Sequence, residues 1–287
     1  MKKVLISSLM IILLSGSLLA QGIYLRAGGG YGLPVATASL GQLNLRSDIN
    51  NVNSNSIENV TGSYGSGTNF NFALGYKFNE NFSFEISTQY LMSNKYKTGN
   101  VYTYTNTSYT YVDNYNTTTS AKALFFNPSF IFTAGSGKMK PYGRFGFVLG
   151  SPKVSGMQSS YYNGDGIEST QMKWEFSKGL SLGLLGAIGM NWKINEKFDF
   201  YTEINYTSMS YYAGEYNLTQ DKNLLTGFDN LPNMTVSQKR TIYKNKFDPG
   251  AVNNDNTKPQ VALKEATPFS SLSLQVGIRI PLWKKSE

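Results

Sequence analysis

Neither cysteine nor histidine occurs anywhere in the 287 residues. Without cysteine there is no disulfide framework, no thiolate metal site, no cysteine nucleophile and no lipid-modified cysteine anchor. Without histidine the usual proton carrier near neutral pH is missing, and most hydrolase triads and most zinc sites go with it. Charge is scarce as well, at 15% of residues, and no amphipathic helical stretch of useful length occurs. The chain therefore reads as a non-enzyme with no catalytic residue, no metal site and no cofactor. What it has in quantity is 28 glycines, 20 tyrosines and 17 phenylalanines, a composition that favours β structure.

The long apolar run lies at the start, in MKKVLISSLMIILLSGSLLAQG. Lys2 and Lys3 precede a stretch too short to span a bilayer comfortably, and small residues close it, so residues 1–20 read as a secretory signal peptide. The cut is expected after Ala20 or after Ser17, leaving 21–287 as the exported domain. Without Lys2 and Lys3 the formal charge falls from +8 to +6, and on an exported chain that excess points toward outer-membrane lipid or lipopolysaccharide and away from nucleic acid.

Beyond the leader the dominant signal is strict alternation. In FSFEISTQY, residues 82–90, Phe82, Phe84, Ile86 and Tyr90 fall on one face of a strand, while Ser83, Glu85, Ser87 and Gln89 fall on the other. Eight segments share the pattern, starting at residues 23, 68, 82, 121, 141, 180, 198 and 271. Each is close to the roughly 9–11 residues that cross a bilayer at a tilt. The connections alternate too. FNENF (78–82), SGKMK (136–140) and INEKF (194–198) are tight hairpins, whereas the links at about 36–66, 98–118, 151–172 and 212–268 are long. One end of the sheet is trimmed and the other is not, the asymmetry of outer-membrane barrels with short periplasmic turns and long external loops. The expected fold is all-β, an eight-stranded antiparallel up-and-down transmembrane β-barrel. Its Phe and Leu faces meet lipid and its Gly, Ser and charged faces fill a narrow lumen.

Counted inward from the short turns, Arg26, Glu85, Arg144 and Glu203 lie about four to six residues up their strands, and Arg279 about as far up the last one, so at ~3.3 Å per residue they share a height. All five are on the polar parity. They are expected to pair as a lumen charge network, since burying unpaired charge is costly. Lys77, Lys193 and Asp199 are expected at the lower lumen rim.

These features resemble the small OmpA/OmpX-type eight-stranded outer-membrane barrels over the whole exported chain. The carriers are the alternating strands, the repeated turn phrases FNENF and INEKF, PYGRFGFVLG with Gly146 and Gly150 on the lumen parity, and the closing QVGIRIPLW. In that last phrase Gln275, Gly277, Ile280 and Leu282 resemble a C-terminal insertion signal, which implies a transient partnership with the barrel-assembly machinery. The resemblance implies a bacterial outer-membrane location and a structural or surface-binding role through external loops, with a protein or glycan ligand. A narrow pore for small solutes is the alternative. The alternation in VYTYTNTSYTY (101–111) runs on beyond the membrane, predicting an exposed ribbon whose edge could accept a partner strand. YYNGDGIES (161–169) lacks the spacing of a calcium loop, and AGGGYG (27–32) and AGSGK (134–138) lack the features of a phosphate loop.

Overall fold

The structure is a computed structural model that describes residues 22–49, 52–105, 110–135, 137–161, 168–246 and 255–282. The expected leader lies outside the described residues. Along the chain, β1 (Gly22–Pro34) rises from the short-turn end, and β2 (Ala38–Ile49) and β3 (Val52–Gly62) form a hairpin above it. β4 (Gly67–Lys77) descends and β5 (Phe82–Ser93) rises, followed by β6 (Tyr96–Thr105), the long β7 (Thr110–Thr133) and β8 (Met139–Gly150). Then come β9 (Lys153–Tyr161), β10 (Glu168–Ser177), β11 (Ser181–Lys193), β12 (Asp199–Tyr212) and β13 (Glu215–Asn223). The last are β14 (Arg240–Lys244), β15 (Gln260–Leu263), β16 (Ala266–Pro268) and β17 (Ser271–Pro281).

Eight of these make a closed wall in the order β1, β4, β5, lower β7, β8, β11, β12 and β17, every neighbour antiparallel. Closure comes from β17 pairing β1, with Tyr24 opposite Pro281 and Pro34 opposite Ser271. A closed wall leaves no free strand edge inside the bilayer, where an unpaired peptide group would find no water.

Alternation decides the two faces. On β5, Ser83, Glu85 and Ser87 are buried while Ile86 and Tyr90 are exposed. The same parity puts Phe70, Phe72, Leu74, Leu124, Phe126, Leu182, Leu184, Ile204 and Leu274 on the outside. An apolar band of this size on a water-soluble protein would be an aggregation surface; on a barrel it is the lipid contact. Near the short turns Tyr76, Phe78, Phe82 and Phe130 follow one another at centroid distances of 5.1, 5.3 and 5.6 Å, part of an aromatic girdle. The turns have one chemistry: Asn79 Oδ1 accepts from the amides of Asn81 and Phe82, and Asn195 Oδ1 accepts from those of Lys197 and Phe198. In both, an Asn side chain mimics a turn of backbone.

At the other end the strands do not stop at the wall. A nine-stranded sheet rises there in the order β3, β2, β6, upper β7, β9, β10, β13, β14 and β15, with β2–β6 and β14–β15 parallel. The expected ribbon from β6 and β7 exists, but its edges are not free. Leu43–Ile49 of β2 pair with Gly99–Thr105, and β9 pairs with Asn114–Lys122. The alternation that predicted a projecting hairpin could not reveal that neighbouring links would pair alongside it. Among the described residues the free edges belong to β3 and β15.

One ion cluster ties this upper sheet together. Arg240 grips Glu215 with two parallel hydrogen bonds of 2.9 and 3.0 Å, and Lys178 Nζ lies 2.9 Å from the same carboxylate. The hydrogen bonds from Arg240 hold the Glu215 carboxyl down at about 2 against an ordinary 4.5. A depressed carboxylate contributes stability that is present above its unfolded value and lost as pH falls toward its folded one. Amide exchange at Thr241–Lys244, corrected for the intrinsic rate, is therefore expected to rise as pH drops from 4.5 toward 2. Protection that stays flat across that interval would show that the clamp does not hold β14 in place.

Candidate functional site

The lumen is filled in layers. Lowest but one is a ring of four charges. Arg26 from β1, Glu85 from β5, Arg144 from β8 and Glu203 from β12 converge, all of them buried. Glu203 takes Arg26 Nη2 at 2.7 Å on one oxygen and Arg144 Nη2 at 2.6 Å on the other. Glu85 Oε1 lies 3.0 Å from Arg144 Nη1 and 3.5 Å from Arg26 Nη1. Two guanidiniums and two carboxylates cancel, which is what makes this much charge tolerable out of water.

Arg279 does not join them. It pairs with Asp199, its direct partner across the β12–β17 ladder, with Nε 2.9 Å from Oδ2. The expectation that Arg279 belongs to the ring is thus corrected. Heights counted along each strand ignore the stagger of a tilted, sheared barrel. Arg279 also has a carboxylate beside it on the next strand, while Glu203 faces Gln275 there. Asp199 and Lys193 stand opposite each other in the β11–β12 ladder at the short-turn end, where Lys77 closes β4.

Three tyrosines complete the ring and were missed in the sequence. Tyr142 Oη accepts from Arg26 Nη2 at 2.6 Å and donates to Glu203 at 2.8 Å, and Tyr24 Oη donates to Glu85 at 3.3 Å. The guanidinium carbon of Arg26 sits 3.7 Å from the centroid of Tyr201, a close cation–π contact. The signal was present: Tyr24-Leu25-Arg26, Tyr142-Gly143-Arg144 and Tyr201-Thr202-Glu203 each put a tyrosine two residues before a ring charge, hence on the same face. Each ring needs a flat bed. Tyr24 lies over Gly75, Tyr142 over Gly189 and Tyr201 over Gly277, where an added Cβ would stand 2.0, 2.4 and 2.7 Å from the nearest ring atom.

Above the ring is an amide layer, in which Gln275 bridges Asn69 and Asn71 and Tyr201 donates to Asn71. Higher still the lumen turns apolar. Leu91, Phe125, Val148, Leu185 and Met209 meet Tyr211, Tyr64 and Phe269 in one buried cluster. The lumen was expected to be mostly small or polar, and its upper part is a packed apolar cluster. Tyr64 and Phe269 come from the ends of two long links. Ser63 Oγ donates to the carbonyl of Ser270, and Tyr64 Oη reaches Thr119, so the links are stitched into the mouth.

Both carboxylates of the ring are engaged by guanidiniums and tyrosine hydroxyls. Among the described residues no three His, Cys, Asp or Glu side chains group as metal ligands.

No curated protein matches the chain in sequence. Among solved structures it is similar to Neisserial surface protein A at 14% identity and a TM-score of 0.37, covering 92% of this chain and 99% of that one. It is similar also to OprG from Pseudomonas aeruginosa (12%, TM-score 0.40, covering 91% and 96%). Ail, the attachment invasion locus protein of Yersinia pestis, gives 10% and 0.32, covering 91% and 99%. The model of the outer membrane protein beta-barrel domain matches residues 8–231. That stretch is most of the chain, and the protein belongs to the outer membrane protein beta-barrel domain family, in the bacterial outer membrane.

Proposed function

We propose that the protein is a plugged, non-enzymatic barrel that works at the cell surface, stabilising the envelope or binding a protein or glycan through the sheet above its wall. One observation carries this reading: the lumen is closed twice, by the neutral charge ring and by the apolar cluster above it. Ions crossing such a lumen would have to displace the arginine–glutamate contacts and then pass an apolar stopper. The material not spent on the wall is a nine-stranded sheet on one side, where recognition elements usually sit. This assigns the long-link end to the outside and the short turns to the periplasm.

Planar bilayers test the plug. Refolded protein at moderate voltage is expected to give no stepwise conductance, whereas steady unitary steps from the wild type would return the chain to the pore reading. The sidedness is tested separately, by an epitope inserted between β2 and β3. It should be reached by antibody on intact cells, and labelling only after permeabilisation would reverse the orientation.

A further inference from the structure

Beneath the ring, at the short-turn end, the lumen opens into a recess of about 190 Å³. Five cations line it, Lys77, Lys138, Lys140, Lys193 and Arg279, against two carboxylates, Glu196 and Asp199. Both carboxylates are already engaged: Asp199 by Arg279, and Glu196 by Lys193 at 2.6 Å. Among the described residues no carboxylate comes within ion-pair distance of Lys77, Lys138 or Lys140. Lys77 has two further cations, Lys140 and Arg279, among its charged neighbours, together with Glu80 and Asp199. Lys77 and Lys140 are half-buried, so water screens their repulsion only in part.

A fold that uses two glutamates to neutralise two arginines one layer up leaves three lysines here without an ion-pair partner among the described residues. We infer that this recess is a binding site for a phosphate-bearing anion, held by Lys77, Lys138 and Lys140. Phosphate fits better than carboxylate. Lysines act as separate point charges and suit a compact multivalent anion, whereas the one planar fork in the recess, Arg279, is occupied. The anion could be a lipid headgroup from the adjoining leaflet or a soluble phosphate.

The test uses refolded protein in a neutral detergent at 150 mM salt, titrated calorimetrically with inorganic phosphate and, separately, with short-chain phosphatidylglycerol below its micelle concentration. The wild type is expected to bind at least one probe. Lys77→Gln with Lys140→Gln should weaken that binding at least tenfold, while Lys97→Gln with Lys122→Gln, the same charge change at the other end, should leave it unaltered. Binding of both probes points to the phosphate group itself, and binding of the lipid alone points to the headgroup. Equal weakening by both pairs of substitutions would reduce the effect to general attraction by a basic protein and overturn the proposal, as would a wild type that binds neither. Urea midpoints guard against a folding artefact. Without anion the Lys77→Gln/Lys140→Gln protein should unfold no earlier than the wild type, because a repulsion has been relieved. Whichever probe binds should then raise the midpoint of the wild type only. A variant that unfolds well below the wild type without anion would make the two lysines structural and overturn the site.

Discussion

Glu203→Ala is expected to cost the barrel about 3 to 5 kcal/mol, the scale for stripping one partner from a buried ion pair. Glu203 is the larger lever of the two glutamates, because it receives both arginines at 2.6 and 2.7 Å and the Tyr142 hydroxyl at 2.8 Å. Its loss leaves two guanidiniums sharing Glu85 alone. The decisive measurement is a set of double-mutant cycles read from urea unfolding in lipid vesicles. Glu203→Ala combined with Arg144→Ala, or with Arg26→Ala, should cost less than the sum of the singles by about 0.5 to 3 kcal/mol, because the stranded charge leaves with its partner. Combined with Arg279→Ala the costs should add within about 0.5 kcal/mol, since Arg279 answers to Asp199. Additive losses against Arg26 and Arg144 as well would mean that the ring contributes nothing as a ring.

Two adjacent positions on β11 should respond to the same residue in different ways. Leu184 points outward and is 49% exposed, so Leu184→Arg places a charge against acyl chains and should cost roughly 2 to 4 kcal/mol at mid-membrane while the barrel still assembles. Gly183 points inward, where even a Cβ would stand 2.5 Å from the carbonyl oxygen of Ser208 and 2.8 Å from Met209. Gly183→Arg should therefore block assembly outright. The folded fraction can be read from the gel-mobility difference between heated and unheated samples. Comparable folding of the two variants would contradict the assignment of faces along this strand.

How much of this could be read in the amino acids depends on which interactions are local. FSFEISTQY betrays its faces because a strand repeats every two residues, and Glu85 and Ser87 are buried for the same reason that Ile86 is not. The levels of Arg26, Glu85, Arg144 and Glu203 followed from counting up from the turns, because all four ride strands running the same way. Arg279 runs the other way, on β17, and its partner was set by the ladder beside it. The apolar stopper was hidden differently. Leu91, Phe125, Val148, Leu185 and Met209 share the parity of the polar residues below them, so alternation assigned them to the lumen without revealing that they would form a second core. The upper sheet was illegible because its pairings, such as β2 with β6, join links distant in sequence whose Asn- and Ser-rich composition resembles a loop.

The four ring charges stand on β1, β5, β8 and β12, and in the wall each is separated from the next by one intervening strand. No hairpin holds two of them. Arg144 and Glu85 are 59 residues apart and Arg26 and Glu203 are 177 apart. Three of the four contacts lie within runs of consecutive wall strands, and only the Arg26–Glu203 contact, across β17, waits until β17 meets β1 and the circle is complete. Contacts made that late do little to hasten folding and act mainly to slow its reversal. That contact is expected to act as a latch: it leaves the time taken to shut almost unchanged and lengthens the time the barrel stays shut.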